Sequence, residues 1–366
     1  MRSLERGHER ESLDAAIASV ARAYGFTAPP VAIPKKATAG IPAAHHRTAQ
    51  LATLARIAAG PETTQSWSLA KDGTGTSVMF AITSPKHAIA QAFVVRAALG
   101  VAEAAGYTDL VVQVSSVGDT ESRRRYVREL GNFFRRHAKE LPDAVTEAAT
   151  KDPYGAMETL VTEGHALAAD LPKTIDFLSE PSRKIMIETV SLLETLGIRY
   201  ELAPRLPYFS GASHELLFAI TGIDPATHER IEIASGGRLD EFVKKAGGPA
   251  GEVIGMAVAV PRRVDVDVEA PMATCFVLHV GEAAKLKAFM LLDALWRAHV
   301  ELGQAVLATT IQDQMTLAHL SGAKYLAIVG QREALDGTAI LRNTGSQLQE
   351  TVLVATLVTR MTKVRL

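Results

Sequence analysis

The pattern of apolar and polar positions changes most often between Ser235 and Arg263. A strand-like IEIA runs into Gly236-Gly237, where two glycines predict a sharp turn. Leu239, Phe242 and Val243 then share one helical face, and Gly247-Gly248-Pro249 ends that helix. From Val253 to Val260 every residue is small or apolar, which predicts a packed core element stopped by Pro261, Arg262 and Arg263.

Upstream, Leu13, Ala16, Ile17 and Val20 recur at helical spacing and Gly25 closes that helix. A second helical run covers Ala49 to Ala58. Trp67 to Lys71 and Thr76 to Ile82 read as two strands joined at Asp72-Gly73, a pair that supplies the positive φ of a hairpin turn. Ala88 to Ala105 is a nearly all-apolar helix, Leu110 to Ser116 a buried strand, and Glu121 to Lys139 a helix with a strongly charged face. Further helices fill Lys151 to Thr195 between prolines. Tyr200 to Leu202, Glu215 to Thr221 and Glu229 to Ala234 are strands, which suggests an antiparallel sheet. Past Val264 to Pro271 the period changes again. Strands at Cys275 to Val280, Ala305 to Thr309 and Tyr325 to Val329 alternate with helices at Glu282 to His299 and Gln312 to Leu320, a small α/β unit. Gly337 and Gly345 bracket a last short strand before the terminal segment Glu350 to Thr362.

Composition narrows the function classes. With 366 residues, 47% hydrophobic and 22% charged, the chain has material for two or three ordinary cores. A net charge of -1 argues against wholesale coating of a polyanion. One local exception is the helix bearing Arg123, Arg124, Arg125, Arg128, Arg135, Arg136 and Lys139, a solvated face or a contact for RNA or an acidic partner. Cys275 is the single cysteine, and neither an apolar leader nor a membrane-length run occurs, so the expectation is a soluble cytoplasmic protein with no membrane partner. His45 and His46 are sequence neighbours that point apart on any regular element and have no third ligand at metal spacing; no metal and no cofactor is expected.

The segments VQVSSVGDTESRRRYVREL, LPKTIDFLSEPSRKIMIETVSLLETLGIRYELAPRL, PYFSGASHELLF and ASGGRLDEFVKKAGGPAGEVIGMAVAVPRR closely resemble histidyl-tRNA synthetase, in order and in spacing. HVGEAAKLKAFMLLDAL and SGAKYLAIVGQREALDGTAILRNTGSQLQETV resemble that family's anticodon-binding domain. The resemblance implies an α+β class II synthetase-like core, an antiparallel sheet flanked by helices, over 1–268 with a helical insertion near 119–190. It also implies a C-terminal α/β anticodon-binding-like domain over 271–366, and a homodimer.

The same resemblance exposes departures. The hairpin Trp67 to Ile82 offers Lys71 where the family has an arginine, and His45-His46-Arg47-Thr48 replaces the segment whose glutamate receives the substrate's amino group. The histidine-specific loop is shortened: Tyr208, Gly211 and Glu215 match the family as remnants of a substrate pocket, while its catalytic arginine is missing and its aspartate is Pro207. In the third motif, Ala259 and Pro261 replace a glycine and a glutamate. Arg262 holds the position of the ATP-binding arginine, so Arg262 and Lys71 are the remnant ATP-site candidates. From Pro271 to Leu366 nine Lys and Arg face seven Asp and Glu, too small a surplus for strong tRNA binding through that domain. The expectation is therefore an inactive paralogue acting as a dimeric binding or regulatory scaffold, with no assigned catalytic residue and tRNA a doubtful partner. Two alternatives are a subunit resembling the regulatory partner of ATP phosphoribosyltransferase and a divergent, active histidine–tRNA ligase that uses Arg47, Arg205 or Arg262.

Overall fold

The computed structural model describes residues 13–27, 46–58, 62–72, 75–85, 88–204, 214–245, 251–264 and 273–364. In chain order these form α1 (Leu13–Ala23), α2 (His46–Ala58), β1 (Thr64–Asp72), β2 (Gly75–Thr83), α3 (Ile89–Ala104), β3 (Thr108–Gly118) and α4 (Thr120–Arg136). Next come α5 (Asp143–Lys151), α6 (Pro153–Thr162), α7 (Glu180–Thr195), β4 (Tyr200–Leu202), β5 (His214–Ile223), β6 (Arg230–Arg238), α8 (Asp240–Lys245) and β7 (Val253–Val260). The C-terminal portion contains β8 (Cys275–His279), α9 (Glu282–Arg297), β9 (Leu302–Gln304), α10 (Ile311–Leu320), β10 (Tyr325–Val329), α11 (Gln331–Asp336), β11 (Thr338–Asn343), β12 (Gln349–Leu353) and α12 (Val354–Val364). Backbone contacts divide the chain into two compact units, one of 26–99 and 107–260, the other of 1–25, 100–106 and 261–366.

The larger unit is built on a seven-stranded sheet of order β1-β2-β7-β6-β5-β3-β4. All its pairings are antiparallel except β3 with β4. Register explains the two faces. One row across the sheet reads Trp67, Phe80, Met256, Gly236, Phe218, Val114, Leu202, largely apolar. The neighbouring row, on the opposite face, reads Ser68, Met79, Ala257, Ser235, Ala219, Gln113, Glu201, and is small and polar. On that second face Leu51, Leu54 and Ala55 of α2 pack over Met79, Ala81, Val253 and Ala257. The insertion forms its own core, in which Tyr126, Leu130, Phe133 and Phe134 of α4 meet Val145, Tyr154, Met157 and Leu160. Pro153 opens α6 and Pro181 lies in the first turn of α7, positions that need no amide partner.

The glycine pair Gly236-Gly237 is not a turn. Both residues lie inside β6, which runs on to Arg238. A Cβ on Gly236 would stand 2.1 Å from the carbonyl oxygen of Gly255 and one on Gly237 2.2 Å from that of Leu216, and Gly237 has φ +149°. The glycines let β6 approach both neighbouring strands, a demand of the sheet that local sequence does not announce. The helix stop expected at Gly247-Gly248-Pro249 lies outside the described residues.

The smaller unit has a five-stranded sheet of order β12-β11-β10-β8-β9, parallel at β8–β9 and β8–β10 and antiparallel at β10–β11 and β11–β12. The strand expected at Ala305 to Thr309 sits earlier, at Leu302–Gln304. Buried Ala305, Val306 and Leu307 follow it in a turn, and their apolar run imitates a strand. Helix α1 belongs to this unit rather than to the sheet that follows it in sequence. Tyr24 donates from its hydroxyl to Asp293 at 2.7 Å and tilts its ring against Phe289 and Trp296, while Gln304 Nε2 donates to the Tyr24 carbonyl at 3.1 Å. Buried His279 contacts two carbonyls, of Gly281 and Val306, and burial lowers its pKa. The Cys275 thiol is pushed up to about 12 by complete burial, so both are packing groups. Among the described residues no helix is long and apolar enough to cross a membrane.

Candidate functional site

The small, polar face of the seven-stranded sheet gathers several polar side chains of the larger unit. Helix α2 covers its β1–β2–β7 half, while toward the β4 edge Ser235 and Gln113 are half-buried and Glu201 exposed. Gln113 donates to Glu201 at 2.8 Å. Glu232, next to Ser235 on β6, is open to solvent, yet surrounding protein pushes its carboxyl above the usual range against the opposing pull of Arg47 and a hydrogen bond from Ser235. Arg47 and Gln50, one turn apart at the start of α2, have a buried Nη1 and a buried Oε1 with no hydrogen-bond partner. Sequence offers Arg47 as a substitute cation, but its proximity to Glu232, far away in the chain, leaves no trace in residue order.

At the other end of β5 a polar network ties three elements together. Asp119 caps α4: its Oδ1 accepts from the Ser122 amide at 2.9 Å and from the Ser122 hydroxyl at 2.8 Å, and its Oδ2 accepts from the Ser179 hydroxyl at 2.8 Å. Ser179 caps α7 in turn, accepting from the Ser182 amide, and its own amide donates to Ser122 Oγ at 2.8 Å. Ser182 Oγ accepts from the Asp119 amide at 3.0 Å and donates to Glu215 Oε1 at 3.0 Å. Every hydroxyl both gives and receives, so the buried polar groups are satisfied. Glu215 is itself buried and has φ +61°, a left-handed conformation uncommon outside glycine. Buried Arg238 adds positive charge nearby. Burial opposes its charged form, but the hydrogen bond to Asp240 and the charges of Asp240, Glu252 and Glu215 outweigh it and raise its pKa.

These observations place the residues singled out by sequence. Glu215 is in this network as a hydrogen-bonded acceptor. Tyr208 and Gly211 lie outside the described residues, as does Arg205. Lys71 is exposed near the end of β1, and its register with Thr76 puts it on the face opposite the Ser68-to-Glu201 row. Arg262 is exposed just beyond β7. On α4, Arg123 forms a two-pronged pair with Glu241 of α8, Nη1 donating to Oε2 at 2.9 Å. Arg125 pairs with Glu121 and Arg136 with Glu129, and Arg135 bonds Asn132. Only Arg124 and Arg128 of this helix's arginines are exposed without a side-chain ion pair or hydrogen bond among the described residues. Two free cations make a weak phosphate track. Reversing both, R124E with R128E, is expected to change tRNA retention on nitrocellulose at low salt by less than about twofold; a loss of an order of magnitude would make α4 an RNA contact.

Comparison with known proteins assigns the smaller unit first. Residues 274–363 match the family model of the anticodon binding domain. A histidine–tRNA ligase of Geobacillus kaustophilus is 29% identical over 267 residues, covering 70% of this chain and 62% of that relative's length. The chain is a histidyl-tRNA synthetase-like protein. Among solved structures, apo histidyl-tRNA synthetase of S. aureus is 21% identical with a TM-score of 0.44, over 83% of this chain and 77% of that one. A protein described as an ATP phosphoribosyltransferase regulatory subunit/histidyl-tRNA synthetase, from Bacillus halodurans C, is 14% identical with a TM-score of 0.36, over 74% of each chain. The large antiparallel sheet flanked by helices and the C-terminal anticodon-binding domain accord with the expected fold class. This histidyl-tRNA synthetase-like chain thus spans less than two thirds of the length of that ligase.

Proposed function

We propose that this histidyl-tRNA synthetase-like protein is a catalytically inactive paralogue acting as a dimeric binding or regulatory scaffold. The supporting observation is the chemistry of the small sheet face. Joining a carboxylate to an ATP phosphate accumulates negative charge that placed cations or a metal must stabilise. The row Ser68, Met79, Ala257, Ser235, Ala219, Gln113, Glu201 contains no cation, Lys71 is on the other face, and Arg47 is set near the acid Glu232. What remains suits the uptake of a small polar ligand better than the orientation of a triphosphate.

ATP–pyrophosphate exchange in the presence of histidine tests the reading. The expected signal equals the enzyme-free background; histidine-dependent exchange above it overturns the assignment and restores the ligase. Replacing Arg47 by Ala distinguishes the cause in that event, because an active site that recruits Arg47 as its cation loses about a hundredfold or more with it.

A further inference from the structure

Helix α7 and the edge strand β4 share a surface on the side of the sheet away from its polar row. Among the described residues of the larger unit, two large apolar side chains stay exposed, Ile187 of α7 at 58% and Leu202 of β4 at 50%. Both line one open groove of about 500 Å³, beside Ile175, Leu178 and Val190. Exposed apolar area gathered in one place marks a contact site, whereas the same side chains scattered singly would not. Two charged groups line the same groove. Arg183 is exposed, with no side-chain ion pair or hydrogen bond among the described residues, and Asp176 is exposed as well. Glu194 is already engaged, since its Oε1 accepts from the Tyr200 hydroxyl at 2.5 Å.

The backbone of β4 selects the occupant. Among the described residues this strand pairs with β3 alone, in parallel. The Val112 amide donates to the Arg199 carbonyl at 3.0 Å and the Ala203 amide to the Val114 carbonyl at 2.9 Å. In a parallel ladder each residue turns its N–H and C=O to one side, and successive residues turn to opposite sides. Tyr200 and Leu202 therefore direct theirs away from β3. The outer edge of β4 offers two donors and two acceptors in strand geometry, next to the apolar wall that the Leu202 side chain helps to form. A helix would cover the wall and leave those four groups unmatched; an extended segment matches both.

We propose that the groove receives an extended segment of a partner protein, added to β4 as an eighth strand of the sheet. Its alternate side chains on the α7 side are apolar and rest on Ile187, Val190 and Leu202. It carries a carboxylate for Arg183 and an amine for Asp176. Proline is excluded where the segment faces β4, because it has no N–H to give. The contact is at the opposite end of the sheet from β1, where Thr27 bridges Ser66, so the two edges are occupied independently. It is also independent of whether the protein activates an amino acid.

Fluorescence anisotropy on the full chain tests it, with a short fluorescein-labelled peptide that alternates valine and threonine between a terminal glutamate and a terminal lysine. The chain binds this peptide one to one, and hydrogen exchange of the β4 segment slows in the complex. R183E and I187D each weaken binding about tenfold or more, while the chain melts as the parent does because both side chains are exposed. Methylating the main-chain nitrogens of alternate peptide residues distinguishes a strand from any other mode. One set of alternates faces β4 and its methylation abolishes binding; the other set faces away, and its methylation changes affinity by less than about twofold. A peptide still free at about millimolar chain overturns the proposal. Equal behaviour of the two methylated peptides overturns it too, and assigns the groove to a helix or to unspecific apolar contact. Neither outcome bears on the exchange assay, which reports separately on catalysis.

Discussion

Alanine at Gly236 is expected to abolish the folded state of the larger unit. The added Cβ would lie 2.1 Å from the Gly255 carbonyl oxygen and 2.6 Å from the Met256 Cα, both backbone atoms of a neighbouring central strand. A flexible side chain could swing away from such a clash; a strand held on its far side by β2 cannot. Gly255 is itself wedged, since a Cβ there would come within 2.7 Å of the Phe80 carbonyl oxygen. Relief therefore means opening the β6–β7 ladder in the middle of the sheet. The cost is about 4 kcal/mol or more, a large part of the whole stability of an ordinary domain. The expected result for G236A is loss of soluble protein, or a melting transition lowered by about 10 °C or more where some survives. The control is G131A on α4, where nothing lies within 4 Å of the added methyl and helix propensity favours alanine. G236A melting with the parent would mean that β6 and β7 are not in this register.

The contrast between those glycines shows which parts of the molecule are legible in sequence. The apolar helix α3, the hairpin of β1 and β2, the charged α4 and the all-apolar β7 follow from local period, because burying one face or both leaves a direct trace in residue order. Gly236-Gly237 leaves an equally clear trace that points the wrong way: glycine reports that a side chain is not tolerated, and a turn and a close strand crossing require that equally. The site divides along the same line. Glu215 is visible through its motif, whereas Asp119 and Ser179 emerge as helix caps only in the structure, each with a serine three residues on. Their meeting is not visible, because Asp119 and Ser179 are 60 residues apart and serine carries no sequence signature of its partner. The closeness of Arg47 to Glu232 is hidden for the same reason. Placement of α1 with the C-terminal unit likewise depends on Tyr24 finding Asp293, Phe289 and Trp296, none of them local.

Removal of the Asp119 carboxylate should cost nearly as much as the glycine clash, with a pH signature that steric damage lacks. Its two oxygens accept three hydrogen bonds, one of them joining α4 to the start of α7, and through Ser182 the network reaches Glu215 on β5. D119A leaves the Ser122 amide and the Ser122 and Ser179 hydroxyls without their acceptor. Loss of a cap is worth about 1 kcal/mol and loss of a charged acceptor by buried donors about 1.5–3 kcal/mol, so about 3 kcal/mol is expected in total. Partial burial works to raise the pKa of Asp119, but the hydrogen bonds from the Ser122 amide, the Ser179 hydroxyl and the Ser122 hydroxyl outweigh it and hold the carboxyl below the usual carboxylate range. A carboxylate depressed in the folded state contributes stability that is fully present above its unfolded pKa and is lost as pH falls through the folded one. The gap between wild type and D119A in urea titrations is therefore expected to be constant from pH 8 to pH 5, and to narrow only below about pH 4. D119N, which keeps one acceptor oxygen and an amide that cannot receive, should fall between the two and show no such narrowing relative to D119A. A gap that closes already near neutrality would assign the stabilisation to another group, and no gap at all would mean that the insertion helices are anchored by their apolar core alone.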